Sequence, residues 1–123
     1  MTRYTAATRF DHAAPSRTAV LLLQLGTPDE PTPAALRRYL REFLSDPRVV
    51  EIPRVAWLPI LHGIILRTRP SKSARKYASV WTDEGSPLMV HTRRQATLLR
   101  GALGARGHDV EVAFAMRYGN PSI

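Results

Sequence analysis

The stretch that decides the fold is Thr18-Ala-Val-Leu-Leu-Leu-Gln-Leu25, followed directly by Gly26-Thr-Pro-Asp-Glu-Pro31. Its unbroken apolar run predicts a short strand covered on both faces, as in a parallel sheet flanked by helices. The two prolines prevent the strand from continuing, and Gly26 permits a positive φ. Ligands of open α/β sheets lie just beyond the carboxyl ends of the strands, so we expect a functional site at Gln24, Leu25, Gly26 and Thr27.

Two helices and a second strand are predicted around this stretch. Thr32-Pro33 is typical of a helix start, and apolar residues then recur at helical spacing until Ser45. Ser86-Pro87 predicts another helix start by the same logic, and Asp109 to Met116 predicts the second strand. The order of elements indicates an α/β fold with a doubly wound parallel sheet and flanking helices. The apolar face of the later helix is predicted from Leu88, His91, Gln95, Leu98, Leu99, Ala102 and Leu103.

The segment between the two helices is less regular. Val49 to Ile52 predicts a short extended piece, and Val55 to Leu66 is the most apolar part of the chain, although too short to span a bilayer. This apolar segment is either a kinked core helix or a hydrophobic lip that meets an apolar ligand or a membrane interface. Arg67 to Ser73 predicts a basic hinge, within which Pro70 or Ser71 opens a short helix that runs through Tyr77 to Val80.

Domain organisation follows from the same pattern. Residues 1–17 are polar and predict a flexible leader, whereas residues 18–123 predict a single α/β unit. Two strands make an incomplete sheet, so we expect residues 18–123 to be the amino-terminal part of a larger domain. Because Met1 to Thr5 do not lead into an apolar run, we expect no secretory signal, and the absence of cysteine fits a reducing compartment.

The charge balance is strongly basic. The net charge is +8, and sixteen of the eighteen basic residues are arginines. Arginine makes bidentate contacts with carboxylate and phosphate, so this composition indicates either an acidic partner or a solvated basic surface. We expect no nucleic-acid partner, because no zinc-finger spacing, RNA-binding aromatic pair or basic repeat is present.

The residues that could carry chemistry suit the binding of a substrate better than its conversion. No glycine-rich phosphate motif follows the first strand, and the four histidines have no ligand-type spacing. A cationic cluster of Arg67, Arg69 and Lys72 precedes the hydroxyl groups of Tyr77 and Ser86. This set suits a large apolar ligand with peripheral carboxylates, or it is ordinary surface charge at a helix start. If the strands are parallel, Arg117 and Tyr118 share a sheet edge with Leu25 and Gly26.

Several stretches together resemble one known family, in family order from Thr18 to the last residue. The chain is similar to the amino-terminal part of bacterial ferrochelatase. The matching stretches are Gln24-Leu-Gly-Thr-Pro28, Arg38-Tyr-Leu40, Phe43-Leu-Ser-Asp46, Arg48-Val-Val50, Lys76-Tyr-Ala-Ser-Val-Trp81, Gly85-Ser-Pro-Leu-Met89 and Met116-Arg-Tyr-Gly-Asn-Pro121.

The resemblance implies a chelatase-type fold of two similar α/β domains, of which this chain would form an incomplete first one. It implies a lyase of haem biosynthesis that inserts Fe²⁺ into protoporphyrin IX. The end of the first strand would line the porphyrin cleft, and the apolar Leu25 matches the branch that uses protoporphyrin. The substrate-binding residues implied are Leu25, Gly26, Arg69, Lys72, Tyr77, Ser86, Arg117 and Tyr118, with the four from Arg69 to Ser86 placed near the propionates.

The resemblance also implies what this chain leaves out. The catalytic histidine and its acidic partner belong to family motifs beyond Ile123, so the chain alone is expected to be inactive. No permanent cofactor is implied, because Fe²⁺ is a substrate. We expect a cytoplasmic protein with peripheral membrane contact through Val55–Leu66. The alternatives are a small basic nucleic-acid-binding module and a flavodoxin-like nucleotide-binding domain.

Overall fold

The computed structural model describes residues 11–123, which form two parallel strands and the helices between them. The strands are β1 (Ala19–Thr27) and β2 (Glu111–Gly119). The helices are α1 (Pro33–Ser45), α2 (Arg54–Ile60), a π-helical segment (Leu61–Ile65), α3 (Leu66–Val80) and α4 (Pro87–Ala105). The predicted α/β class and the parallel pairing are therefore confirmed, and β1 and β2 form a two-stranded sheet within the described residues.

The carboxyl ends of the two strands pair directly with each other. Gly26 pairs with Tyr118, and Thr27 pairs with Gly119. Gly26 has a φ of 127°, and a Cβ atom there would overlap the carbonyl oxygen of Tyr118. Only glycine fits this position, because an L side chain has neither the backbone conformation nor the space. β1 therefore continues to Thr27, two residues beyond the predicted end at Leu25, and β2 continues to Gly119 instead of ending at Met116.

Both predicted helix starts are confirmed. The hydroxyl oxygen of Thr32 accepts a hydrogen bond from the Ala35 amide at 3.3 Å, and Ser86 accepts one from the Met89 amide at 3.2 Å. Such a cap satisfies an amide at the helix start that has no partner within the helix, and typically stabilises the helix by about 1 kcal/mol. α1 buries Leu36, which is fully inaccessible to solvent.

The predicted basic hinge at Arg67–Ser73 is wrong, as is the helix start at Pro70 or Ser71. Helical backbone continues without a break from α2 through the π-helical segment to the end of α3, and Pro70 is buried within α3. A proline inside a helix leaves the carbonyl four residues earlier without its usual donor. Here that carbonyl belongs to Leu66, and it accepts a hydrogen bond from Arg37 Nε at 3.0 Å. A side chain of α1 thus compensates for Pro70.

The apolar segment from Val55 to Leu66 combines the two predicted alternatives. Leu61 and Leu66 are buried, whereas Val55 and Ile64 are 90% and 58% exposed. One side of the helix therefore belongs to the core and the other faces solvent. The start of α2 is tied to the end of α1, because Trp57 Nε1 donates to the carbonyl oxygen of Leu44 at 2.7 Å.

Three further predictions differ from the structure. Val49–Ile52 is not extended; the chain turns after α1, and the Val49 amide donates to the Asp46 carbonyl at 2.9 Å. The buried face of α4 contains Thr92 and Ala96, about a quarter turn from the predicted face, whose Leu98 is 72% exposed. Among the described residues β1 is covered on one face only. Its alternate leucines are exposed: Leu21 by 52%, Leu23 by 57% and Leu25 by 56%.

The ends of the chain add little to this picture. Residues 11–17 are exposed, and the rest of the predicted leader, residues 1–10, lies outside the described residues. The division into a leader and a domain stays a prediction. None of the helices within residues 11–123 has the length and apolar character needed to cross a membrane.

We expect Gly26→Ala to lower the free energy of unfolding by at least about 2 kcal/mol, because it adds strain at a positive φ and overlap with Tyr118. Gly101→Ala is the matched control, since Gly101 lies inside α4 with no atom near its missing Cβ. The control should raise the free energy of unfolding by about 0.5–1 kcal/mol. Urea unfolding followed by circular dichroism measures both changes, and equal stability of the two variants would contradict the assigned close approach.

Candidate functional site

The carboxyl ends of β1 and β2 form the centre of the candidate site, as predicted for a parallel sheet. Gly26 and Tyr118 lie side by side in the sheet, and Leu25 and Arg117 precede them, so all four residues predicted at this edge share it. The hydroxyl of Tyr39 on α1 donates to the carbonyl oxygen of Gly26 at 3.2 Å. Burial raises the pKa of Tyr39 to about 12. Its hydroxyl therefore stays protonated at neutral pH and holds α1 against the strand end.

Ser86 joins the same edge from the start of α4. Its side-chain oxygen is buried and accepts a hydrogen bond from the Thr27 hydroxyl at 2.8 Å. Because that oxygen also caps α4 by accepting from the Met89 amide, its two acceptor positions are occupied. The hydroxyl proton of Ser86 remains as its one free donor. Ser86 therefore has a structural role in addition to any contact with a ligand.

Asp46 connects the end of α1 with the end of β2. One carboxylate oxygen, Oδ2, accepts hydrogen bonds from Tyr118 Oη at 2.8 Å and from Arg117 Nη2 at 3.0 Å. The other, Oδ1, accepts from the Arg48 amide at 2.9 Å. The Asp46 side chain is only 12% exposed, and the guanidinium carbon of Arg117 lies 5.6 Å from the centre of the Tyr118 ring. This arrangement fixes the position of both the guanidinium and the phenol.

The environment of Asp46 favours its charged form. The Arg48 amide, followed by the Tyr118 hydroxyl and the Arg117 guanidinium, holds the pKa of Asp46 below its usual range. Hydrogen bonds to the ionised form stabilise it relative to the protonated form. Tyr118 is also packed edge-on against Phe43, with ring centres 5.0 Å apart. The end of β2 is therefore held by both a polar and an aromatic contact from α1 and the turn after it.

The predicted propionate-binding set is only partly brought together. Arg69 and Lys72 are exposed on α3, and no contact joins either to Ser86 among the described residues. Tyr77 is half-buried near the end of α3, where its ring lies edge-on to Trp81 with centres 6.4 Å apart, and burial raises its pKa. The cationic residues therefore lie on the exposed surface of α3, a helix that packs against α1.

A large groove opens beside this edge, between α1, α2 and the loops that follow the strands. We name it the basic groove; its volume is about 850 Å³. Among its lining residues are Arg38, Arg41, Arg48, Arg54, His62 and Arg117. Within residues 11–123, no group of three or more histidine, cysteine, aspartate and glutamate side chains could hold a metal ion.

Comparison with known proteins decides the family. The ferrochelatase family model matches residues 17–123. The chain belongs to the ferrochelatase family.

Individual ferrochelatases show the same relation. The chain is 74% identical over 111 residues to ferrochelatase of Polaromonas sp. strain JS666, covering 90% of this chain and 30% of that protein. It is 62% identical over 124 residues to ferrochelatase of Chromobacterium violaceum, covering all of this chain and 34% of that protein. The chain thus spans about a third of the length of these curated ferrochelatases. No solved structure shows a significant match.

Sequence reasoning placed Thr27 at the site but missed the roles of two other residues that organise this part of the ferrochelatase fold, Tyr39 and Asp46. Asp46 and Tyr39 both lie in stretches that carry the family resemblance, but neither was assigned a role. The available signal for Asp46 was its place directly after a predicted helix, where an aspartate often accepts bonds from the following amides. Its contact with Arg117 and Tyr118 had no local signal, because 71 residues separate Asp46 from Arg117. The substrate roles of the eight predicted residues stay predictions.

We expect Asp46→Asn to destabilise the chain at pH 7, because it removes the charge that Arg117 and Tyr118 hold in place. The pKa of Asp46 is lowered by folding, so its stabilising effect is present above the unfolded value of about 3.9 and is lost as the pH falls below it. The difference in unfolding midpoint between wild type and variant should therefore shrink between pH 5 and the acid limit of folding. Asp83→Asn, in an exposed loop, is the control. A difference that does not change with pH would contradict the assigned role.

Proposed function

We propose that this chain supplies the porphyrin-binding wall of a ferrochelatase, which inserts Fe²⁺ into protoporphyrin IX and so forms protohaem. The match of the ferrochelatase family model to residues 17–123 carries the proposal. In this reaction Fe²⁺ takes the place of two pyrrole protons, and no oxidation or reduction occurs. The enzyme must therefore hold a flat apolar ring, receive two protons and admit the metal ion.

The described residues suit the first of these tasks. Leu25 is more than half exposed at the end of β1, where it offers apolar surface to a ring system. Arg117 carries a guanidinium whose position is fixed by Asp46, so binding of an anionic or π-rich ligand beside it costs little side-chain entropy. Arg69 and Lys72 provide exposed cations on α3, which suit carboxylates at the edge of such a ligand.

The proton acceptor is proposed to lie outside this chain. The family's catalytic histidine and acidic residue belong to motifs that match no position here. His62 lies in the π-helical segment and lines the basic groove, and His91 lies on the exposed side of α4; neither matches a motif position of the family. No cofactor is part of the proposal, since Fe²⁺ enters as a substrate.

We expect the isolated chain to show no haem formation from Fe²⁺ and protoporphyrin, because it lacks the proton acceptor. We expect activity from a chimera of the Polaromonas ferrochelatase in which this chain replaces the 111 matching residues. The measurement is the rate of protohaem formation by absorbance, under anaerobic conditions, with the native Polaromonas enzyme as the reference. An inactive but folded chimera would contradict the proposed function, and enzyme-proportional activity of the isolated chain would contradict the placement of the proton acceptor.

The exposed apolar side of α2 and the π-helical segment supports a second part of the proposal. Val55 and Ile64 expose apolar side chains to solvent, and Ile60 is 42% exposed. We infer that this lip guides the apolar substrate and makes peripheral contact with a membrane surface, in a protein of the cytoplasm. Amphipathic helices bind membranes by burying such a face at the headgroup boundary. Co-sedimentation of the chimera with lipid vesicles tests the contact, with Val55→Ser and Ile64→Ser as the weakening variants.

We expect Lys72→Ala in the chimera to raise the KM for protoporphyrin by about tenfold to a hundredfold, because one charge-assisted hydrogen bond to a propionate contributes roughly 1.5–3 kcal/mol. The kcat should change little if the contact is equal in ground and transition states. Arg75→Ala, another exposed cation of α3, is the matched control. The dimethyl ester of protoporphyrin has no free carboxylates, so the effect of Lys72→Ala should vanish with it. An equal penalty on acid and ester would show that Lys72 does not hold a propionate.

A further inference from the structure

The basic groove contains more positive charge than its own acids neutralise. Five of its lining residues are arginines, and three are acidic: Asp29, Glu42 and Asp46. Each of the three carboxylates already accepts a hydrogen bond from a neighbouring residue. Asp46 is held by Arg117 and Tyr118, Glu42 accepts from the Gly119 amide at 3.1 Å, and Asp29 accepts from Asn120 at 3.1 Å.

The arginines of the groove divide into two groups. Arg117 is bound to Asp46, and Arg54 Nη1 donates to the Ser45 carbonyl at 3.3 Å. Among the described residues, the guanidinium groups of Arg38, Arg41 and Arg48 have no hydrogen-bonding or ionic partner. These three groups come from two adjoining elements, α1 and the turn that follows it, and line one cavity.

Arg37 shows by contrast what a structural arginine of α1 does. Its Nε donates to the carbonyl oxygen of Leu66, which Pro70 leaves without a partner. Arg38 and Arg41 have no such task, although they lie on the same helix. A guanidinium presents its donors as a planar fork that matches the two oxygens of a carboxylate or phosphate. Three unengaged forks around one cavity therefore favour a ligand with more than one anionic group.

We propose that the basic groove is an anion-binding site for a small polyanion that carries at least two carboxylate or phosphate groups. Arg38, Arg41 and Arg48 are its charged ligands, and the groove volume of about 850 Å³ lies within the range of small-molecule pockets. The groove adjoins the carboxyl ends of parallel strands, where α/β folds place their ligands. The site is additional to the proposed propionate contacts on α3 and does not depend on chelatase activity.

The test is calorimetric titration of the full chain with citrate and with pyrophosphate at an ionic strength of about 0.15 M, where diffuse surface attraction is largely screened. Acetate is the singly charged control ligand. We expect saturable binding of citrate or pyrophosphate at one site and none of acetate. Preference for citrate identifies a carboxylate ligand and preference for pyrophosphate a phosphate ligand, and either result supports the site.

Variants then locate the binding. Arg41→Ala and Arg48→Ala should each weaken binding about tenfold, whereas Arg41→Lys, which keeps the charge and loses the fork, should weaken it less. Arg75→Ala, an exposed arginine of α3 outside the groove, should leave the affinity unchanged. Thermal unfolding of each variant verifies that the fold is intact.

Three results would overturn the proposal. The first is the absence of saturable binding of either polyanion, and the second is an equal loss of affinity in Arg41→Ala and Arg75→Ala. The third is competition between protoporphyrin and the polyanion that disappears when the dimethyl ester replaces protoporphyrin. The groove would then bind the propionates and be part of the substrate cleft. A chimera that lacks chelatase activity would contradict the proposed function and leave the anion site standing, since the titrations do not use the chimera.

Discussion

The carboxylate of Asp46 is the interaction on which the arrangement of the candidate site depends. It lies directly after α1 and receives hydrogen bonds from two side chains at the end of β2. The edge-on contact of Phe43 with Tyr118 and the hydrogen bond from Tyr39 to the Gly26 carbonyl act at the same corner. Polar and aromatic contacts thus join α1, β1 and β2 into one unit. The side chain of Arg117 is held in place before any ligand arrives, which is the property that a binding site requires.

Proline has two different effects in this chain. Pro33 and Pro87 stand at helix starts, where the missing amide hydrogen is not needed. Pro59 and Pro70 stand inside the long helix from α2 to α3, where each leaves a carbonyl without its usual partner. Arg37 supplies the donor for the carbonyl that Pro70 leaves open. The packing of α1 against α3 therefore makes an otherwise unfavourable residue tolerable, and it keeps the helix continuous where local rules predict a break.

The described part of the molecule provides many groups that could bind a ligand, and no group of three or more side chains there could hold a metal ion. Its arginines have distinct tasks: Arg37 stabilises a helix, Arg117 pairs with Asp46, and Arg38, Arg41 and Arg48 remain available. The exposed apolar residues also form two separate sets. The leucines of β1 lie beside the site, and the others lie on α2 and the π-helical segment. We propose that this segment of a ferrochelatase holds an apolar, carboxylated ring and recognises anions.

The sequence by itself determined the elements whose signals are local. The α/β order, the parallel edge and the family were predicted from short stretches of sequence. These are the apolar run after Thr18, the caps at Thr32 and Ser86, and the turn residues after each strand. The π-helical segment, the continuity of the helix through Pro70, the buried face of α4 and the role of Asp46 were decided by tertiary structure alone. The physical reason is that each depends on a partner far along the chain. Arg37 and Leu66, and Asp46 and Arg117, become neighbours only when the helices pack against the sheet.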